Sequence, residues 1–169
     1  MQLPDVLTEL FDRIPPLVRE VAGGLDADQL RWRPTPESNS IGWLLWHLIR
    51  VQDHHVSELV DEPQIWTTGD WSSRFGLEPD PRNTGYGHSG ADVATVRPDG
   101  PDALTSYCDA VCARTRNFLR GLQEADLDRV VDKRWDPPVT MGVRLVSVAE
   151  DDLQHAGQAA YAKGLLNRD

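Results

Sequence analysis

The sequence predicts an all-α protein, a four-helix bundle with a long loop between its second and third helices. Two observations carry this. Four segments of the 169-residue chain repeat apolar residues at the helical period. The two long connections among them are rich in Gly, Pro, Asp and Trp, and long connections allow crossovers, so the order need not be simply up-down-up-down.

The first helix is expected from about Leu3 to Ala22, with Leu7, Leu10, Ile14, Leu17, Val18 and Val21 on one stripe. Pro15-Pro16 predicts a kink or break inside it, and Gly23-Gly24 ends it. The second runs from about Ile41 to Leu59, with Ser38 or Ser40 as its N-cap. After it come about 40 residues that include Trp66, Trp71, Gly85, Gly87 and His88. Connections of that length are usually functional lids or carry short helices of their own. The third helix starts near Asp102 and places Leu104, Tyr107, Cys108, Val111, Thr115, Phe118, Leu119 and Leu122 on one stripe. A second irregular stretch, Val130 to Val139, has room for a short strand. The fourth helix begins after Thr140 and runs to about Leu165, bearing Val143, Val146 and Leu153. The whole reads as one domain, residues 1–169.

A formal charge of −10 excludes nucleic acid and anionic membranes as partners, because both demand clustered Lys and Arg. No stretch approaches the ~20 apolar residues of a membrane span, and Met1-Gln2-Leu3-Pro4-Asp5 lacks the features of a signal peptide. Cys108 and Cys112, one helical turn apart, read as buried reduced thiols of a cytoplasmic protein.

The chemistry-bearing run is Glu150-Asp151-Asp152-Leu153-Gln154-His155. Asp151 and His155 are four residues apart and share a helix face, a spacing from which both can grip one metal ion. Asp152, at i−3 from His155, is the alternative carboxylate; two adjacent aspartates leave that choice open. His47, in the apolar run Trp43-Leu44-Leu45-Trp46-His47-Leu48, is the third candidate. Taken singly, His47 also reads as a core imidazole, and the Asp151/His155 pair as a solvated surface pair. His54 lies on nearly the same face as His47 but about 10 Å farther along, too far for the same ion. His88, between glycines, is either a turn residue or a ligand contact. Trp43 and Trp46 read first as packing residues.

The runs Ser40-Ile41-Gly42-Trp43-Leu44-Leu45-Trp46-His47-Leu48, Gly85-Tyr86-Gly87-His88 and His155-Ala156-Gly157-Gln158-Ala159-Ala160-Tyr161 resemble the DinB-like superfamily. Within it they resemble an actinobacterial branch related to mycothiol-dependent maleylpyruvate isomerase and bacillithiol transferases. The resemblance implies a four-helix bundle, often a homodimer, with a divalent metal (zinc or nickel) held by three side chains. Carried over by position, these are His47, Asp151 and His155. Many members have histidine at the first position of the last-helix pair; the isomerase branch has glutamate, and here stands aspartate, one methylene shorter.

A shell of three ligands leaves a position open, as catalytic sites do. The implied activity is a thiol S-transferase, in which a low-molecular-weight thiol such as mycothiol attacks a small-molecule electrophile. Gln158, one turn beyond His155, would orient a bound group, with His88 and Arg82 contacting the thiol. The alternatives are a metal-dependent hydrolase, with Asp152, Glu150 or His54 as base, and a non-catalytic metal-binding or stress-related bundle. Two histidines and a carboxylate also match non-haem iron oxygenases.

Overall fold

A computed structural model describes residues 2–167. The first expected helix divides into α1 (Leu3–Phe11) and α2 (Ile14–Ala22). The break falls at Asp12-Arg13, ahead of the prolines. Pro15 and Pro16 sit in the first turn of α2, where N–H groups have no intrahelical acceptor, so their missing donors cost nothing. A single turn, α3 (Ala27–Leu30), leads to α4 (Ile41–Val60). Ser40 is its cap: the Oγ accepts from the Trp43 N–H at 3.1 Å, whereas the Ser38 hydroxyl bonds Thr35.

Residues 61–100 hold short elements of their own, 3₁₀ turns at Ile65–Thr67 and Ser72–Phe75 and the single turn α5 (Gly90–Val93). Helix α6 spans Pro101–Arg120. Strand β1 (Val130–Asp132) pairs antiparallel with β2 (Val139–Thr140), Val130 opposite Thr140. Thr140 then caps α7 (Met141–Leu166), its Oγ accepting from the Val143 N–H.

The four long rods close a ring in the order α2, α6, α4, α7, with α1 continuing α2 along α6. Successive rods α2 and α4 are therefore diagonal, and so are α6 and α7. Both of those connections cross the bundle. The most extensive interface joins α4 to α7, the two helices that carry the candidate ligands. The larger core cluster gathers Val18, Leu44, Leu45, Trp46, Trp66, Phe75 and Tyr107. A smaller one lies around Phe11, Leu119 and Leu145.

The expected stripe of α7 is corrected. Val143 and Val146 are exposed, and the buried face is Met141, Leu145, Val148, Ala149, Asp152, Ala156, Ala159 and Ala162. That face is built largely of alanine with one aspartate, so its apolar signal is weaker than that of the two outward valines.

Candidate metal centre

His47 projects from the middle of α4 and is buried; Asp151 and His155 face it from successive turns of α7. One nitrogen of each imidazole and one Asp151 carboxylate oxygen all lie within 4.8 Å of one another. His47 Nε2 is 3.9 Å from Asp151 Oδ2, and His155 Nδ1 is 3.4 Å from the same oxygen. The two rings approach edge to face, 4.6 Å between centroids.

Hydrogen bonds assign the tautomers. His47 Nδ1 lies 2.5 Å from the Thr84 carbonyl and His155 Nδ1 lies 2.8 Å from the Asp151 carbonyl. Each Nδ1–H donates, which leaves each Nε2 with a lone pair, the arrangement that orients ligating histidines in metal sites. Burial pulls the His47 pKa down and keeps its imidazole in the neutral, ligating form. At His155 burial also pulls down, but the Asp151 side chain, carbonyl and charge together outweigh it and raise the pKa. Asp151 Oδ2 is enclosed, and among the described residues no donor meets it in hydrogen-bond geometry: His155 Nδ1, 3.4 Å away, is directed to the Asp151 carbonyl. A carboxylate oxygen withdrawn from water without a partner is costly, and a cation between the imidazoles would satisfy it. The donor set, two nitrogens and a carboxylate oxygen, suits a divalent metal ion.

The remaining walls are aromatic and backbone. Trp43 stacks on His47, 4.6 Å between centroids and 10° from parallel. Gly85 has φ +94°, and a Cβ there would stand 2.8 Å from His47 Nδ1 and 2.9 Å from a Trp46 ring carbon. Only glycine lets residues 84–85 press against α4, and that approach delivers the Thr84 carbonyl to His47.

The loop is held there by Arg50, a residue that the sequence reading missed. Its guanidinium, wholly buried, donates to the Asn83 and Pro81 carbonyls, the Gln64 side-chain oxygen, the Tyr107 hydroxyl and Asp53. Asp53 in turn accepts from the Ile65 and Trp66 N–H groups, the Ser57 hydroxyl and the Tyr107 hydroxyl. The signal was an Arg and an Asp, three residues apart, inside the apolar stripe of the second helix.

A second group, His54, His55 and Glu58, also brings donor atoms within 4.8 Å, but its hydrogen bonds consume them. The Gln64 amide nitrogen donates to His54 Nδ1 at 2.9 Å, so the His54 proton sits on Nε2, facing Glu58 Oε1 at 3.5 Å. Arg144 donates to His55 Nε2, so His55 Nδ1–H faces Glu58 Oε2 at 3.3 Å. Both imidazoles donate to one carboxylate, and no lone pair is left converging. His54 is a rim residue of a cavity of about 340 Å³ that reaches from Asp151 and His47 past Val51 and Tyr86.

The other candidates lie apart from the centre. His88 has both ring nitrogens engaged: Nδ1 accepts from the Trp43 indole at 3.1 Å, and Nε2 donates to Asn83 at 3.0 Å. It braces the loop over Trp43 and Trp46. Arg82 points to solvent beside Asp80, and Gln158 is exposed, so neither lines the cavity. Asp152 points away from the cavity into the bundle, fully buried with neither oxygen partnered. Burial, with the neighbouring Asp151 charge, raises its pKa well above the usual carboxylate value, which disfavours the anionic form that a metal ligand needs. Of the adjacent aspartates, Asp151 is the one at the cluster. A Cβ at Gly157 would meet nothing within 4 Å among the described residues, so no close approach calls for a glycine there.

A family model described as the DinB superfamily matches residues 10–159. Among solved structures, the chain is similar to a conserved protein from Enterococcus faecalis, with a TM-score of 0.91 and 30% identity. The match covers 100% of this chain and 99% of that one. None of the curated proteins matches the chain.

Proposed function

This chain belongs to the DinB superfamily, and from that premise we propose that it is a divalent-metal-dependent thiol S-transferase. It would join the sulfur of a low-molecular-weight thiol such as mycothiol to an electrophilic small molecule, the thiol proton passing to solvent and the electrophile's leaving group departing with its bonding pair, with zinc or nickel as the metal. The observation that carries the reading is Asp151 Oδ2, enclosed without a donor between two imidazoles whose Nδ1 protons are already spent.

His47, Asp151 and His155 would hold the ion. When bound, it supplies a Lewis acid that favours the thiolate at neutral pH. Thr84 fixes the His47 tautomer, and Trp43 fixes its ring plane. The cavity beside Asp151 gives both substrates one entrance, past Tyr86 and Val51. No protein nucleophile is needed. In this reading the protein is one domain, works in the cytoplasm with Cys108 and Cys112 reduced, and pairs as a homodimer.

Hydrolysis at the same centre asks for a base beside the reacting water. Asp152 is enclosed in the bundle, Glu150 accepts from Gln154 on the surface, and His54 is tied to Gln64 and Glu58. That disposition favours the transferase.

The test loads the protein with zinc or nickel and supplies mycothiol and a chloronitroarene electrophile. Conjugation that needs both metal and thiol supports the transferase. Ester turnover without thiol would replace it with the hydrolase, and one bound metal with no turnover would replace it with the non-catalytic bundle.

A further inference from the structure

Away from the metal centre, a concavity of about 270 Å³ between α3, the start of α4 and α5 is lined by Arg31, Arg33 and Arg97, with Ser40, Val93 and Val96. Three arginines in one hollow run against the charge of the chain, which has 27 acidic residues to 17 basic ones. Among the described residues, Arg33, Arg97, Arg120 and Arg129 are the arginines with no carboxylate within 4.0 Å. Two of those four share this hollow.

Their tethers are to backbone. Arg33 Nη1 donates to the Gly90 carbonyl at 2.9 Å, and Arg97 Nε to the Ala94 carbonyl at 3.1 Å. Such bonds hold a guanidinium in place without cancelling its charge, and both Nη groups of Arg97 stay unspent. Arg31 bonds the Ala27 carbonyl and pairs with Asp28, a side chain 91% exposed, so that pairing is weakened by solvent. Val93 and Val96 are buried beneath and give the hollow a dry floor. Planar donors of this kind match tetrahedral oxyanions two N–H groups at a time.

We propose that this hollow binds a phosphate-class oxyanion, free or as the phosphoryl group of a small organic molecule, through Arg33 and Arg97 with Arg31 at the rim. The proposal is independent of the metal centre and stands or falls apart from it.

Isothermal titration at constant ionic strength tests it, with inorganic phosphate and ribose 5-phosphate as probes. Arg33→Gln and Arg97→Gln should each weaken phosphate by about tenfold or more, the scale of one lost charge-assisted bond. Arg120→Gln removes the same charge elsewhere and should leave the affinity unchanged. Arg97 is exposed, so its replacement reads binding rather than folding. Equal affinity for the two probes assigns the site to the free ion, and tenfold tighter ribose 5-phosphate assigns it to an organic phosphate. No phosphate binding by the wild type, or equal weakening in Arg120→Gln, would overturn the proposal.

Discussion

At the residue scale, two neighbouring aspartates of the same type have opposite fates because a helix turns 100° per residue. Asp151 meets His47 and His155; Asp152, one position on, enters the bundle, where burial pushes its pKa up. Metal content by mass spectrometry should therefore separate them: near one equivalent in the wild type and in Asp152→Asn, and much less in Asp151→Asn and His47→Ala. Equal metal in all four would remove the centre. Gly85 offers a subtler probe. Alanine there must shift His47 or the loop, and disturbing the partner of a ligating imidazole typically costs 10–100-fold in metal affinity. A Gly85→Ala protein that binds zinc as the wild type does would show that the Thr84 contact does not orient His47.

At the element scale, the loop of residues 61–100 carries no long helix and owes its place to α4. Arg50 and Asp53 bind loop backbone at residues 65, 66, 81 and 83. Cutting one partner of a buried pair strands the other charge, at a cost of about 3–5 kcal/mol. Arg50→Met should lose stability on that order in urea and open residues 61–100 to limited proteolysis. Unchanged proteolysis would mean that the apolar anchors Trp66 and Phe75 suffice. The break between α1 and α2 belongs to this scale as well. Prolines in sequence mark a helix boundary, but the first turn accepts them, so the break lies on their N-terminal side.

At the scale of the whole molecule, Asp132 joins the hairpin to the bundle. It pairs with Arg134 and with Arg144 of α7, and Arg144 reaches His55 of α4. The Arg134 bonds, with Arg144 beside them, hold the Asp132 carboxyl far below the usual carboxylate range. A lowered folded pKa means stability that is present above the unfolded value of about 3.9 and lost as the pH falls below it. Urea midpoints should thus drop between about pH 4 and pH 2, and Asp132→Asn should flatten that drop while lowering the midpoint at pH 7. A variant with the wild-type slope would place the acid sensitivity elsewhere.

Local pattern determined much of this protein. The helical period marked four rods, serine marked the start of the second, and the i, i+4 spacing of Asp151 and His155 put both on one helix face, because those relations are set by backbone geometry within a few residues. The apolar run around His47 offered it as the third candidate, and the resemblance carried it over as their partner. What no local pattern holds is which rods touch. The ring order that sets α4 against α7 across diagonal connections was decided by packing among the buried faces of all four rods. Packing likewise decided that Asp151 rather than Asp152 meets the histidines. The burial of Arg50 and the seat of Gly85 on His47 were settled the same way, because the energy of an enclosed charge or a close approach depends on neighbours far off in the chain.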